Sequence, residues 1–345
     1  MQTLEQIWGE QFWTDEAIRI ELCYWGLIKD KVPNISSPDM PLATEHRIEK
    51  FVRGLSYDTG IGNLHVGLTS SDLEDNIRAK RLEESLDIMN DKTMEMLDAV
   101  REMFKEKTDN TWIAYTHLVP AGTISVRHRF STYRFPKSNN VKIEYKGIGG
   151  ALGDGKIQKM LGIGLDAINA SVFPDKKCQQ ACSQTVDHYT EFDTAAYIVL
   201  MAASLAKFAN DMRQMFAFSQ VRHTHKDIGS TAIPAKKPNP WRYERASGMA
   251  EQLYDMPSKV ARVLSSCLLE RTLTNQSVLN RMFCEGFMVL EDMFNDIIDA
   301  VKVTEIVDQT KLCKNKNLHS EEQLLKLVLK GQPRLKAHLK INGKN

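Results

Sequence analysis

The sequence predicts an all-α protein built as a bundle of long helices, and three stretches carry that expectation. From Leu82 the apolar positions fall at Leu86, Met89, Met96, Val100 and Met103, with Thr93 filling the one gap, a spacing of about 3.5 that marks helices packed at shallow angles. Leu279, Phe283, Leu290, Phe294, Ile297 and Val301 repeat that spacing. Between them, Ala195 to Phe218 is apolar nearly all round, through Ile198, Val199, Leu200, Met201, Leu205, Phe208, Met212, Met215 and Phe216. Such a helix is expected to be buried on most sides. Uniform burial in the middle of a bundle implies helices supplied by other subunits.

A chain of 345 residues can bury a substantial core. Lys and Arg number 45 against 44 Asp and Glu, so bulk charge suggests no nucleic-acid partner. No apolar run approaches a bilayer span, and the opening Met1-Gln2-Thr3-Leu4-Glu5-Gln6 lacks a basic region followed by an apolar one. No membrane partner is expected, and the expected location is cytoplasmic. Six scattered cysteines show no paired framework and fit a reducing compartment. Cys178-x-x-x-Cys182, with His188 beyond, lacks a fourth zinc ligand and reads as packing on a helix, so no metal site is expected.

Residues 1–30 carry Ile7, Trp8, Phe12, Trp13, Ile18, Leu22, Trp25 and Leu27, an aromatic-rich amphipathic pattern suited to a helix docking on something larger. Pro33, Pro38 and Pro41 break it, and Thr44 is placed to cap a further helix through Phe51 that carries His46. Gly60 to Leu64 leads into His65-Val66-Gly67-Leu68-Thr69-Ser70-Ser71-Asp72-Leu73-Glu74-Asp75-Asn76. A Thr-Ser-Ser-Asp run before an amphipathic stretch is explained as an N-cap with acidic first-turn residues. It also gathers hydroxyls and backbone N–H groups at a helix start, a natural seat for an anion.

Between the first two long helices lies Thr116-His117-Leu118-Val119-Pro120-Ala121; Phe135 to Asn140 then interrupts a helix, and Val141 to Tyr145 alternates like a strand. Gly150-x-x-x-x-Gly155-Lys156 is close to a Walker A loop, but Ile157 occupies the Mg²⁺-holding position and no αβ repeats follow. Arg222-His223-Thr224-His225 reads as a solvated loop, since alternate residues of a helix do not face one way. In Gly229 to Arg245, Pro234, Pro238 and Pro240 forbid a regular helix. Lys237 there can hold a carboxylate, Asn239 can donate and accept, and Ser230 can be activated as a base or nucleophile by a cation and backbone N–H groups.

Together these stretches resemble the fumarase/aspartase superfamily and, within it, the adenylosuccinate lyases. The Gly229–Pro240 run is similar to Gly-Ser-Ser-x-x-Met-Pro-x-Lys-x-Asn-Pro, with Thr231 for the second Ser, Ile233 for Met and one extra residue before the lysine. Lys236 and Lys237 both compete for that lysine's place, and Lys237 keeps everything downstream in step. The 65–76 run resembles His-x-Gly-x-Thr-Ser-x-Asp-x-x-Asp-Asn almost letter for letter, and 116–121 resembles Thr-His-x-Gln-Pro-Ala with Val119 in place of Gln. Ser183-Gln184-Thr185, at the entry to the central helix, and Glu270-Arg271-Thr272-Leu273 with Ser277 to Arg281 complete the likeness. Arg47 stands where the family has Asp after its Thr-x-His, and an arginine expected near His188 is absent.

The resemblance implies a long-helix bundle with central helices assembling into a homotetrameric core, each site shared among three subunits. It also implies β-elimination of fumarate from a succinyl-amine, with no cofactor and no metal. Ser230 is the implied base, and His117, partnered by Glu244, the proton donor to the leaving nitrogen. Thr69, Ser70, Gln184, Lys237 and Asn239 are implied around the succinyl carboxylates, and His46, Thr116 and Arg271 in the substrate site. His65, Ser277 and Arg281 reach the phosphate of a small-molecule nucleotide substrate. Three parts are expected: an N-terminal helical domain 1–76, a central bundle 77–305 carrying the loop 222–240, and a C-terminal helical remnant 306–345. The alternatives are a lyase of the same superfamily acting on a different amine, and a non-catalytic paralogue, against which the joint presence of Ser230, His117 and Glu244 argues.

Overall fold

A computed structural model describes residues 2–36, 46–224, 239–272 and 274–343, leaving aside the side chains of 274–276. In chain order the elements are α1 (Leu4–Trp8), α2 (Glu10–Ile28), α3 (Arg47–Thr59), α4 (Ser70–Phe104), β1 (Thr111–Thr116), β2 (Val119–Ser125), α5 (Val126–Ser131), α6 (Lys156–Met160), α7 (Leu165–Val172), α8 (Tyr189–Ala217), β3 (Val221–His223), α9 (Trp241–Met249), α10 (Met256–Ser266), α11 (Thr274–Lys302), β4 (Thr304–Ile306), α12 (Ser320–Leu329) and α13 (Arg334–Ile341). The fold is all-α in class, as expected. The stretches with the 3.5 spacing became α4 and α11, and the apolar run became α8. The chain divides into two compact units, to both of which these three helices contribute.

The first unit comprises Met1–Asp91, Pro136–Met201 and Gln252–Glu291. Its N-terminal helices dock on α4 through the aromatic face expected of them. The Trp8 indole donates to Ser85 Oγ at 3.0 Å, and the Arg81 guanidinium donates to the carbonyls of Ile7 and Gly9. The stretch is split at Gly9, where an added Cβ would lie 2.9 Å from the Glu5 carbonyl. Helix α3 takes His46 as its N-cap, with Nδ1 accepting from the Glu49 N–H at 3.3 Å; Thr44 lies outside the described residues.

The second unit comprises Lys92–Phe135, Ala202–Glu251 and Asp292–Asn345. It holds the strands, which the sequence did not announce: antiparallel β1–β2 joined at His117-Leu118, and antiparallel β3–β4. The hairpin is pinned by Trp112, fully buried, whose indole donates to the Val307 carbonyl at 2.8 Å, and by Tyr115 stacked on Phe218.

Several local expectations are corrected. Val141 to Tyr145 forms no strand, since only Tyr145 bridges to Cys178. Cys178 and Cys182 lie in the irregular run before α8 rather than on a helix, and burial together with Cys182 pushes the Cys178 thiol up to about 11. Ser183 to Thr185 also precede α8, which begins at Tyr189. His223 is not on a solvated loop: it sits buried in β3, its ring stacked on Tyr243. Helix α8 buries Ile198, Met201, Leu205 and Met212, while Phe192 is 38% and Leu200 58% exposed. Contrary to expectation, α8 is long and apolar enough to cross a bilayer by length and composition, with 56% of that window buried.

Candidate active site

The densest polar arrangement surrounds the start of α4. Asp72, fully buried, accepts at one oxygen from the Thr69 and Gly150 N–H groups (2.8 and 3.1 Å) and at the other from the Gly149 N–H (3.0 Å) and the Lys146 ammonium. Burial alone would lower the Lys146 ammonium's pKa, but the Asp72 carboxylate outweighs it and the net shift is upward. Asn76, one turn on, closes a two-way bond with Gly147 at 2.9 and 3.0 Å. Asp72, Asp75 and Asn76 share a helix face by their spacing. That face ties the glycine turn 147–153 to the N-terminus carrying Thr69 and Ser70. Gly153, at φ 77°, leaves no room for a side chain, since a Cβ would lie 2.1 Å from the Cys182 carbonyl.

Asp75 extends the network. It accepts from the Val186 N–H at 3.1 Å, which anchors the loop just after Gln184, and from Arg78 at 2.7 Å. Arg78 also donates to Glu191 at 2.8 Å, and His188 lies 3.4 Å from the same carboxylate. Burial would raise Glu191, but the Arg78 charge and His188 outweigh it and hold the carboxyl at about 2.

Around this scaffold the first unit brings together several expected residues. Thr69 and Ser70 sit at the helix start, nearly buried, and the Arg271 guanidinium donates to Ser70 Oγ at 3.1 Å across 201 positions of sequence. A hydroxyl, a guanidinium and the start of a 35-residue helix meet there. All three favour an anion. His65 precedes the helix at φ 64°, its ring bonded to Glu21. Gln184 is half-buried, and Ser277 and Arg281 stand one turn apart on α11. His46 is occupied as the cap of α3.

The second unit holds the remainder. Thr116 and His117 lie exposed at the hairpin tip, where His117 and Leu118 both adopt left-handed backbone, at φ 53° and 60°. Two such residues make a primed hairpin turn, which Asn-Gly would normally fill. Asn239 is exposed ahead of α9, and Glu244 on α9 accepts from Arg213 at 3.1 Å; no bond from Glu244 to His117 is among the described contacts. Ser230 and Lys237 lie outside the described residues. Sequence reasoning did not single out Glu21, Asp72, Asp75, Asn76 or Lys146 as parts of the site. For the three on α4 the shared helix face was the available signal.

Residues 43–254 match the model of a protein family described as lyase. The chain belongs to this lyase family of the fumarase/aspartase superfamily. The lyase is 26% identical over 318 residues to the adenylosuccinate lyase of Pyrococcus abyssi, an alignment covering 85% of this chain and 68% of that protein. It is 24% identical to the adenylosuccinate lyase of Schistosoma mansoni over 72% of this chain and 56% of that protein, so it spans little more than half of that relative's length. In fold it is similar to the fumarate lyase from Mesorhizobium sp. BNC1, with a TM-score of 0.73 at 14% identity over 98% of this chain and 84% of that one. The glycine turn, α4 and α8 all fall within the matched region.

Proposed function

We propose that the lyase cleaves the carbon–nitrogen bond of adenylosuccinate to give AMP and fumarate, and acts likewise on the succinyl-aminoimidazole carboxamide ribotide of purine biosynthesis. The observation that carries this is the meeting of Ser70, Arg271 and the α4 N-terminus, a site of the kind a succinyl carboxylate needs. In the proposed reaction Ser230 removes the Cβ proton, the electron pair forms the fumarate double bond, the C–N bond breaks, and His117 protonates the departing nitrogen. Charge grows on the neighbouring carboxylate as the proton leaves, so donors fixed in advance stabilise that state most. Thr69, Ser70, Gln184, Lys237 and Asn239 supply them, while His65, Ser277 and Arg281 hold the nucleotide phosphate. Glu244 is engaged by Arg213 within one chain. A Glu244–His117 pair therefore forms between subunits of a homotetramer, packed along the exposed stripe of α8. The working compartment is the cytoplasm.

A second reading, a different amine as leaving group, is favoured by Val119, 61% exposed beside the hairpin tip where the superfamily carries glutamine. Purified protein given adenylosuccinate, followed by purine absorbance beside a Ser230→Ala control, separates the two. Fumarate release abolished by the substitution supports the first; no turnover of either nucleotide by folded tetramer removes it.

A further inference from the structure

We propose that Glu21 is a positioning residue for His65, fixing which ring nitrogen that histidine presents to the site. The inference rests on the reading of His65 as a site residue. Glu21 lies on α2, 44 positions earlier in the chain, and its side chain is fully buried. One carboxylate oxygen lies 2.5 Å from His65 Nδ1, and the other accepts the His65 backbone N–H at 3.1 Å. Ring and backbone of one residue are therefore held by one carboxylate.

The backbone bond has a reason of its own. At φ 64° His65 occupies the left-handed region that non-glycine residues avoid, so that conformation persists only where surrounding structure enforces it. Helix α2 does so twice. Tyr24, one turn beyond Glu21, accepts from Gln158 Nε2 at 3.2 Å, and the same amide donates to the Gly67 carbonyl at 2.7 Å. Gly67, at φ 80°, must be glycine, because a Cβ would lie 2.8 Å from Ile157 Cγ2. Glu21 and Tyr24 thus brace both ends of the 65–67 turn from one helix face.

The ring bond decides the chemistry. A buried carboxylate is an acceptor, so Nδ1 carries the hydrogen. In the neutral ring Nε2 then keeps its lone pair, and the tautomer is set by the partner at the other nitrogen. The ring is 22% exposed while Glu21 is fully enclosed, so the free nitrogen belongs to the solvent side. Neutral His65 would accept a proton or hydrogen bond from substrate there, and charged His65 would donate to a phosphate oxygen.

The test combines spectroscopy with turnover in the full chain. Wild type, Glu21→Gln and Glu21→Ala are labelled with ¹⁵N-histidine, and His65→Gln identifies the His65 signals. Long-range ¹H–¹⁵N spectra are read at the alkaline end of a pH series, once the ring signals no longer move with pH. The expected result is Nδ1–H in wild type, retention in Glu21→Gln, whose carbonyl still accepts, and loss of the single tautomer in Glu21→Ala. With adenylosuccinate, kcat/KM should fall about 10- to 100-fold in the alanine variant and less in the glutamine variant. Wild-type His65 protonated at Nε2, or an unchanged tautomer in folded Glu21→Ala, overturns the proposal. Should the alanine variant not fold, the wild-type and Glu21→Gln spectra decide on the same terms. The spectra need no substrate, so absent turnover in wild type would count against the proposed function and leave this inference standing.

Discussion

The Lys146 ammonium meets the Asp72 carboxylate with neither side chain exposed to solvent. Replacing Asp72 by Ala removes the acceptor of three backbone N–H groups and leaves a buried cation unpaired. Loss of one partner of such a pair costs about 3–5 kcal/mol. Denaturant unfolding of Asp72→Ala should show at least that loss, whereas Asp72→Ala with Lys146→Met should recover part of it; equal costs would mean the ion pair is not coupled.

Arg271 touches Ser70 from a half-buried position, so its removal should disturb binding more than folding. A hydrogen bond to a charged group contributes about 1.5–3 kcal/mol. Arg271→Ala should therefore raise KM for adenylosuccinate roughly 10- to 100-fold with little change in Tm. A Tm that drops while KM holds would assign Arg271 to the scaffold.

Glu191 links acid stability to the site. Its carboxyl is held at about 2 against an ordinary 4.5, so folding is favoured by its ionised form. That contribution is complete above about pH 4.5 and is lost as pH falls toward 2. At about 1.4 kcal/mol per unit it amounts to about 3 kcal/mol. Tm measured from pH 6 down to about 2 should fall in wild type, and in Glu191→Gln should start lower and vary less.

The hairpin tip offers a stabilising change. Leu118 sits at φ 60°, where a non-glycine residue costs about 1–2 kcal/mol. Leu118→Gly removes that cost but adds backbone entropy to the unfolded chain, about 0.5–1 kcal/mol. A net gain of up to about 1.5 kcal/mol should appear as a small rise in Tm; a fall would show that the Leu118 side chain contributes packing of its own.

Leu200, 58% exposed on α8 beside a largely buried apolar face, is placed for burial in the proposed tetramer. Leu200→Glu should shift sedimentation toward smaller species while helix content by circular dichroism is kept. An unchanged tetramer would move the assembly face elsewhere.

The long helices were legible because a period repeated over six positions outweighs local exceptions such as Thr93. The hairpin was not: Thr116-His117-Leu118-Val119 lacks the Asn-Gly or Gly-Gly pair that marks a primed turn. Val141 to Tyr145 erred the other way, since alternation over five residues makes a strand only if a neighbour pairs with it. At the site, Thr69 and Ser70 could be read as a helix start from local chemistry. Asp72, Asp75 and Asn76 were visible as motif positions but were given no role, because the partners that define one, Gly149, Val186 and Gly147, lie 77, 111 and 71 positions away. Glu21 could not be inferred at all, its partner being fixed by how α2 meets the 65–67 turn.

The bond from Arg271 to Ser70 joins residues 201 positions apart. During synthesis the α4 N-terminus leaves the ribosome long before its guanidinium exists, so nascent chains hold a helix start that cannot yet be completed. Contacts of such separation close late and slowly. Binding competence in this lyase is therefore expected to trail behind the appearance of helix, and to be the last property a refolding chain regains.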